Sequence, residues 1–225
     1  RTSSKKLKKG LVLYNENVKL IDEIENKFDV EKELLLALMG IETNFGTYVG
    51  KMDILSSLAT LSFDKRRSQF FTRELITLLQ LIDSNKVDYE SLYGSWAGAF
   101  GFFQFMPSTI DNYAIDYNNN KEIDLKNNID AFASAANYLS KIGWKNQEPC
   151  FYKVKLNTNI PNKYLNTSAQ KIKNKRKLSF FTKYINHDNF PDNLNLDYKV
   201  AIVTPDRDIV IDADKLAPAY VVFDN

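Results

Sequence analysis

The sequence predicts an α+β chain in which a mostly helical lobe, residues 1–149, precedes a small mixed lobe, residues 150–225. Three observations carry this. Up to Trp144 the apolar residues recur at three- and four-residue spacing, the period of a helix with one buried face. Beyond Trp144 they come in short alternating or β-branched runs, the pattern of strands. Between the helical stretches, residues 91–106 interleave glycine with aromatic residues in a way that fits neither period.

Each element has its own signal. Leu20, Ile21, Ile24 and Phe28 place an amphipathic helix over 14–28. Asp29 is the expected N-cap of a helix over 30–43, with Glu31 and Glu33 favourably placed in its first turn. Gly46 suits the turn after that helix. A third helix is expected from Asp53 through Leu58 and Leu61, and a fourth over 66–83. Its broad apolar face holds Phe70, Phe71, Leu75, Leu78, Leu79 and Ile82. In the glycine-rich block, Gly94, Gly98 and Gly101 permit close backbone approach among Tyr93, Trp96, Phe100, Phe102, Phe103 and Phe105.

Pro107 fits the first position of a short helix reaching Tyr113. Residues 127–141 form another, with Ile129, Phe132, Ala133, Ala136 and Tyr138 or Leu139 inward and Gly143 closing it. In the second lobe, 151–156 alternate with Tyr152, Val154 and Leu156 on one side. Residues 199–203, 208–212 and 219–223 are further strand candidates. The polar, Asn- and Lys-rich stretch 157–195 has room for a short helix near 178–186. No fixed-period repeat is present.

Composition narrows the function classes. A chain of 225 residues with 44% hydrophobic residues can bury a sizeable core. Its 30 basic and 28 acidic residues leave a net charge of +2, too even for a nucleic-acid binder. The clusters Lys5–Lys9 and Lys171–Lys177 read as solvated faces. The lone cysteine, Cys150, excludes an internal disulfide. The lone histidine, His187, has only Asp188 beside it, which argues against a histidine-based metal site or a Cys–His nucleophile. No run reaches the ~18 apolar residues of a membrane span. The polar opening at Arg1 is compatible with a targeting segment removed upstream.

Glu42 stands out at the end of the apolar helical run that starts at Leu34. Most glutamates are solvated. A carboxyl placed against apolar surface is different, because burial disfavours its charged form and leaves a proton to donate.

Three blocks carry a resemblance. They are Gly40–Ile41–Glu42–Thr43–Asn44–Phe45–Gly46, then Leu58–Ala59–Thr60–Leu61–Ser62–Phe63, then the run from Gly94–Ser95–Trp96–Ala97–Gly98–Ala99 through Gln104–Phe105–Met106–Pro107–Ser108. In this order the chain resembles the lytic murein transglycosylases of the membrane-bound lytic transglycosylase B family, densely from about residue 30 to 145. The resemblance implies a lysozyme-like catalytic lobe and cleavage of the β-1,4 bond between N-acetylmuramic acid and N-acetylglucosamine, giving 1,6-anhydromuramyl ends. Glu42 is then the sole general acid and base, a departure from the usual two-carboxylate scheme. No cofactor is required.

The same resemblance implies substrate contacts for Ser95, at the acetamido group, and for Gln104 in the sugar groove. Arg66 and Arg67 are implied near the cleft, facing peptide or lactyl carboxylates. Tyr138, Phe103 and Phe105 are implied as groove lining. Residues 116–127 correspond to an EF-hand-like calcium loop, with Asp116, Asn118, Asn120, Glu122 and Asn127 at ligand positions. Lys121 replaces the turn glycine and Asn127 the final carboxylate, so an empty or weakly occupied calcium loop is expected.

The implied partner is the glycan strand of peptidoglycan, with other cell-wall enzymes as further candidates. The implied state is a monomer in the periplasm of a Gram-negative bacterium, with an outer-membrane anchor upstream of Arg1 as an option. In the family a segment after the small lobe, including a Tyr–Asn pair, completes the site. Residue 225 falls about where that segment begins, so lobe 150–225 is expected to be cut short at its C-terminal end. Two other readings stay open. A lysozyme-type hydrolase would need a second carboxylate, with Asp53 and Asp64 the nearest in sequence. A non-catalytic peptidoglycan-binding or scaffold protein would need none.

Overall fold

The structure, a computed structural model, describes residues 3–156, 160–169, 172–186, 188–204 and 218–223. The chain divides into two compact units, Arg1–Asn146 and Gln147–Asn225. The strand expected at 208–212 and His187 lie outside the described residues.

The first unit holds seven helices among the described residues: α1 (Ser4–Glu16), α2 (Val18–Phe28), α3 (Lys32–Glu42), α4 (Ile54–Ser62), α5 (Ser68–Asp83), α6 (Pro107–Tyr113) and α7 (Asn128–Ile142). A two-stranded ladder joins β1 (Met52–Asp53) to β2 (Tyr93–Gly94), pairing Met52 with Gly94 and Asp53 with Tyr93. The core gathers around α7, whose residues Asp130 to Ala136 are all buried. Ile21, Ile24, Leu35, Met39, Leu58, Leu78 and Phe132 complete its centre. Burying side chains of this size stabilises by roughly 1.5–3 kcal/mol each.

Local chemistry sets most boundaries. Asp53 caps α4 by accepting the Ser56 N–H at 2.6 Å. Asn127 caps α7, and Gly143 ends it at φ +99°. The buried carboxylate of Glu74 on α5 accepts the N–H and hydroxyl of Ser108 at 2.9 and 2.8 Å, fixing the start of α6 behind Pro107.

In the first unit two helix boundaries differ from expectation, and in the second the helix expected near 178–186 covers only Leu178–Phe181, with Ile185–Asn186 a strand. The helix expected over 14–28 is two helices, because Asn17 breaks it: its Nδ2 donates to Leu13 O at 2.9 Å and competes with the backbone ladder. Asp29 does not cap the next helix. It ends α2 in the left-handed conformation, φ 55°, and Glu31 takes the N-cap position of α3.

The second unit is a sheet in the order β4–β7–β8–β3–β6, with β5 also pairing β7. The strands are β3 (Phe151–Leu156), β4 (Leu165–Asn166), β5 (Arg176–Lys177), β6 (Ile185–Asn186), β7 (Lys199–Val203) and β8 (Pro218–Phe223). Val154 and Leu156 face inward with Val200, Ile202 and Val221, against Leu178 and Phe181 of the short helix α8 (Leu178–Phe181).

The end of α3 is anchored by a ring. Phe45 lies in a slot floored by Gly10 of α1 and Gly40 of α3, so close that a Cβ on Gly40 would sit 2.7 Å from its Cζ. Gly40→Ala is expected to destabilise by about 1–3 kcal/mol, the usual overpacking cost. Urea unfolding measures this, and an unchanged midpoint would show that the slot yields.

Candidate active site

Glu42 is the last residue of α3. The chain turns sharply after it: Asn44, Phe45 and Gly46 have φ of 51°, 59° and 75°, three consecutive left-handed residues. Four contacts hold this turn. Thr43, 1% exposed, donates its hydroxyl to Phe102 O at 2.8 Å and accepts the Gly46 N–H at 3.0 Å. Phe45 N donates to Met39 O at 3.1 Å. The Phe45 ring fills the glycine slot. Lys9 of α1 reaches across to donate to Asn44 O at 2.7 Å and to the Thr47 hydroxyl.

The glycine–aromatic block meets this turn from the other side. Phe100 and Phe105 exchange N–H···O bonds of 2.8 Å, closing a tight loop over 101–104. Gly101 has φ +76°, and a Cβ there would lie 2.5 Å from the Leu125 side chain, so the loop needs glycine at this point. Gln104 adopts φ +52°. Its Nε2 donates to Gly101 O at 2.9 Å and to Val49 O at 3.3 Å. With two carbonyls facing the nitrogen, the orientation of the amide is fixed, and Oε1 is left to accept.

These elements enclose a cleft of about 220 Å³. Glu42, Gln104, Tyr138, Phe103 and Phe105 all line it. Tyr138 is held by ring contacts to Tyr113 and Phe105 at 5.1 and 5.7 Å. Phe103 packs edge-on against Phe132 at 5.4 Å, so one ring serves both groove and core. Leu38, Met106, Thr109, Ala135 and Leu139 complete the lining and escaped the sequence reading. Leu38 had a usable signal, since it precedes Glu42 by four residues on one helix face. Glu42 itself is exposed. Apolar surface therefore flanks the carboxylate without covering it, and its oxygens accept no hydrogen bond from the described residues.

Three implied residues do not line the cleft. Ser95 closes its own turn: its N–H donates to Ala99 O and its Oγ accepts the Ala99 N–H, both at 2.9 Å. That leaves the hydroxyl hydrogen to donate. Arg66 is exposed and pairs with Asp64 at 3.5 Å. Arg67 precedes α5 with its guanidinium over Phe70 and Phe71, at 4.6 and 5.1 Å. As for the two aspartates, Asp53 is occupied as a helix cap. The hydroxyl and N–H of Ser56 hold its carboxyl below the usual carboxylate range. Asp64 is exposed.

The 116–127 loop is closed by its own backbone. Asp116 accepts the N–H groups of Asn120 and Lys121 at 3.0 and 2.7 Å, and Asn120 accepts that of Glu122 at 2.9 Å. Lys121 sits at φ +73° where glycine would be easier. Buried Asp130 clamps both ends through Tyr117 N and Asp124 N, at 2.9 and 3.0 Å. Burial, with the Glu23 carboxylate 2.7 Å away, pushes the Tyr117 phenol up to about 12. Asn127, at the final ligand position, spends its oxygen on the Ile129 N–H as the cap of α7. Among the described residues no three His, Cys, Asp or Glu side chains converge as a metal site. The donor set does not fit a tightly held calcium ion, which needs a bidentate carboxylate there.

This geometry makes two outcomes testable. Thr43→Val should cost about 1–3 kcal/mol, because Phe102 O and Gly46 N lose a buried partner; urea unfolding tests it, and a near-neutral result would show that the turn does not depend on Thr43. The thermal midpoint should be the same in millimolar calcium and in EDTA; a rise of several degrees with calcium would show that the loop binds it after all.

Comparison with known proteins gives the same placement. Residues 1–225 match the family model described as a transglycosylase SLT domain. Membrane-bound lytic murein transglycosylase B of Escherichia coli (strain K12) is 38% identical over 136 residues, covering 60% of this chain and 38% of that protein. SltB3 from Pseudomonas aeruginosa, solved in complex with NAG-NAM-pentapeptide, superposes with a TM-score of 0.82 at 26% identity, over 97% of this chain and 56% of that one. Escherichia coli Slt35, solved in complex with calcium, gives a TM-score of 0.77 at 26% identity, over 99% and 66%. The chain thus spans less than two thirds of each of these relatives. With its family model matched along the whole sequence, this α+β chain belongs to the transglycosylase SLT domain family, among the relatives of membrane-bound lytic murein transglycosylase B.

Proposed function

We propose that this chain is a lytic transglycosylase of peptidoglycan, cleaving the β-1,4 bond between N-acetylmuramic acid and N-acetylglucosamine with Glu42 as its single acid and base. The observation that carries this is the lining of the cleft. Among the described residues Glu42 is the only carboxylate lining it, beside an amide whose orientation is fixed, a phenol and aromatic walls.

The steps balance with that one group. A sugar ring lying over the cleft excludes water from it, which favours a neutral carboxylic acid. Glu42 gives its proton to the glycosidic oxygen as the bond to C1 breaks. The substrate's N-acetyl oxygen stabilises the sugar cation, so no second protein carboxylate is needed. The Glu42 carboxylate then takes the proton of the muramyl 6-hydroxyl as that oxygen attacks C1. A 1,6-anhydro ring results, and Glu42 is again protonated. Gln104 Oε1 accepts from a sugar hydroxyl. The spare hydroxyl hydrogen of Ser95 is assigned to the acetamido group. Arg66 and Arg67 are assigned to peptide or lactyl carboxylates outside the cleft.

The hydrolase reading needs a carboxylate across the sugar from Glu42. Asp53 caps α4 and Asp64 pairs with Arg66, so neither is offered to the cleft. The reaction calls for no cofactor. We place the chain with the glycan strands of the periplasm, as a monomer. Among the described residues no helix is long and apolar enough to cross a membrane.

Glu42→Gln should slow muropeptide release from sacculi by about 10²–10⁴-fold, the range of general acid–base contributions. Mass spectrometry of the wild-type digest should show anhydro ends, one water lighter than reducing ends. Reducing ends would make the chain a hydrolase, and undiminished release by Glu42→Gln would end the mechanism.

A further inference from the structure

The stretch Phe151–Asn186 in the second unit carries nine Lys and Arg residues and no Asp or Glu. The structure gathers three of these cations on one patch. Tyr164, Phe180, Phe181 and Tyr184 form a ring cluster with centroids 5.1 to 6.1 Å apart. Lys163 Nζ and Arg176 Cζ lie 5.0 and 5.6 Å from the Tyr164 ring. Lys183 Nζ lies 5.1 Å from Phe180 and 4.9 Å from Tyr184. Asn174 Nδ2 donates to Lys163 O at 2.6 Å, drawing the Lys173–Lys177 segment to the same place.

All three cations are exposed, and none has an acidic partner among the described residues. Ring faces hold them where carboxylates ordinarily would. The rings gather them while their charge stays available. Like charges kept together in this way oppose folding, and only an external anion relieves them.

We propose that this patch binds the carboxylates of peptidoglycan stem peptides through residues that do not line the cleavage cleft. The proposal rests on the reading that the chain acts on peptidoglycan. A peptide carboxylate suits Lys and Arg donors by charge and geometry. The near-zero balance of the whole chain, 30 basic against 28 acidic, argues against a phosphate polymer as partner.

The test uses the full chain carrying Glu42→Gln, pelleted with insoluble sacculi across a salt series. K163Q/R176Q/K183Q should weaken binding at low salt by about tenfold and flatten its salt dependence, as loss of exposed charge contacts does. The charge-keeping K163R/R176K/K183R should bind like its parent, which separates charge from folding. On sacculi stripped of peptides by an amidase, all three proteins should bind alike. Equal binding of the neutral and parent proteins to intact sacculi would overturn the proposal. So would an equal loss on stripped sacculi, or a tighter, equally patch-dependent affinity for duplex DNA. Release of anhydromuropeptides by the chain with Glu42 intact is measured in parallel. Its absence would count against the catalytic reading and leave the binding result standing.

Discussion

The hydroxyl of Thr43 is the constraint on which the site depends. It joins the helix end that carries Glu42 to the loop that carries Phe103, Gln104 and Phe105, through Phe102 O on one side and Gly46 N on the other. A single hydrogen bond adds only about 1 kcal/mol net, but a buried polar group left without one costs more than that. Thr43 itself is 1% exposed, so the hydroxyl that serves both partners is buried. The cleft therefore inherits its width from a bond that never touches it.

The backbone beside that bond is strained. A left-handed conformation costs an L residue roughly 1–2 kcal/mol, and Asn44, Phe45 and Gln104 all adopt it. These outliers stand on the two strands of chain that face each other across the cleft. Compensation comes from packing around the turn: the Phe45 ring seated on Gly10 and Gly40, and Lys9 donating to Asn44 O. Gly10 is the one fully buried residue described in helix α1, which also packs Leu13 and Tyr14 against the core. Strain concentrated at one cleft and offset by the surrounding packing is the usual signature of a positioned site.

Where one residue decides the local chemistry, the sequence is sufficient. Asp53 and Pro107 begin helices as their side chains dictate, and Gly143 ends one because it has no Cβ. Sequence reading fails where a distant partner decides. Asp29 has the chemistry of a cap for α3. It instead accepts from Asn146 at 2.8 Å while ending α2, and no local pattern announces that. Helix α1 is hard to see because its Lys-rich face buries so little, and the break at Asn17 is hidden because its competing bond to Leu13 O leaves no trace in a hydrophobic count. At the site, Glu42, Gln104 and the aromatic walls are legible as a block. Lys9, 33 positions before Glu42 in the sequence, is not.

The exposure of Glu42 places a requirement on the proposed reaction. A general acid has to reach the glycosidic oxygen with its proton, and the free fold leaves this carboxyl open to water while giving it apolar neighbours on one side. In the proposed reaction a bound sugar supplies cover. On this view the substrate contributes three things that other glycosidases draw from protein: the desolvation of the acid, the acetamido oxygen that steadies the cation, and the hydroxyl that closes the ring. The chain contributes one carboxylate at the end of a helix, and a turn held rigidly enough to keep it beside Gln104. That division of labour explains why the cleft is built mainly from backbone constraints and ring contacts, with a single carboxylate among the described residues that line it.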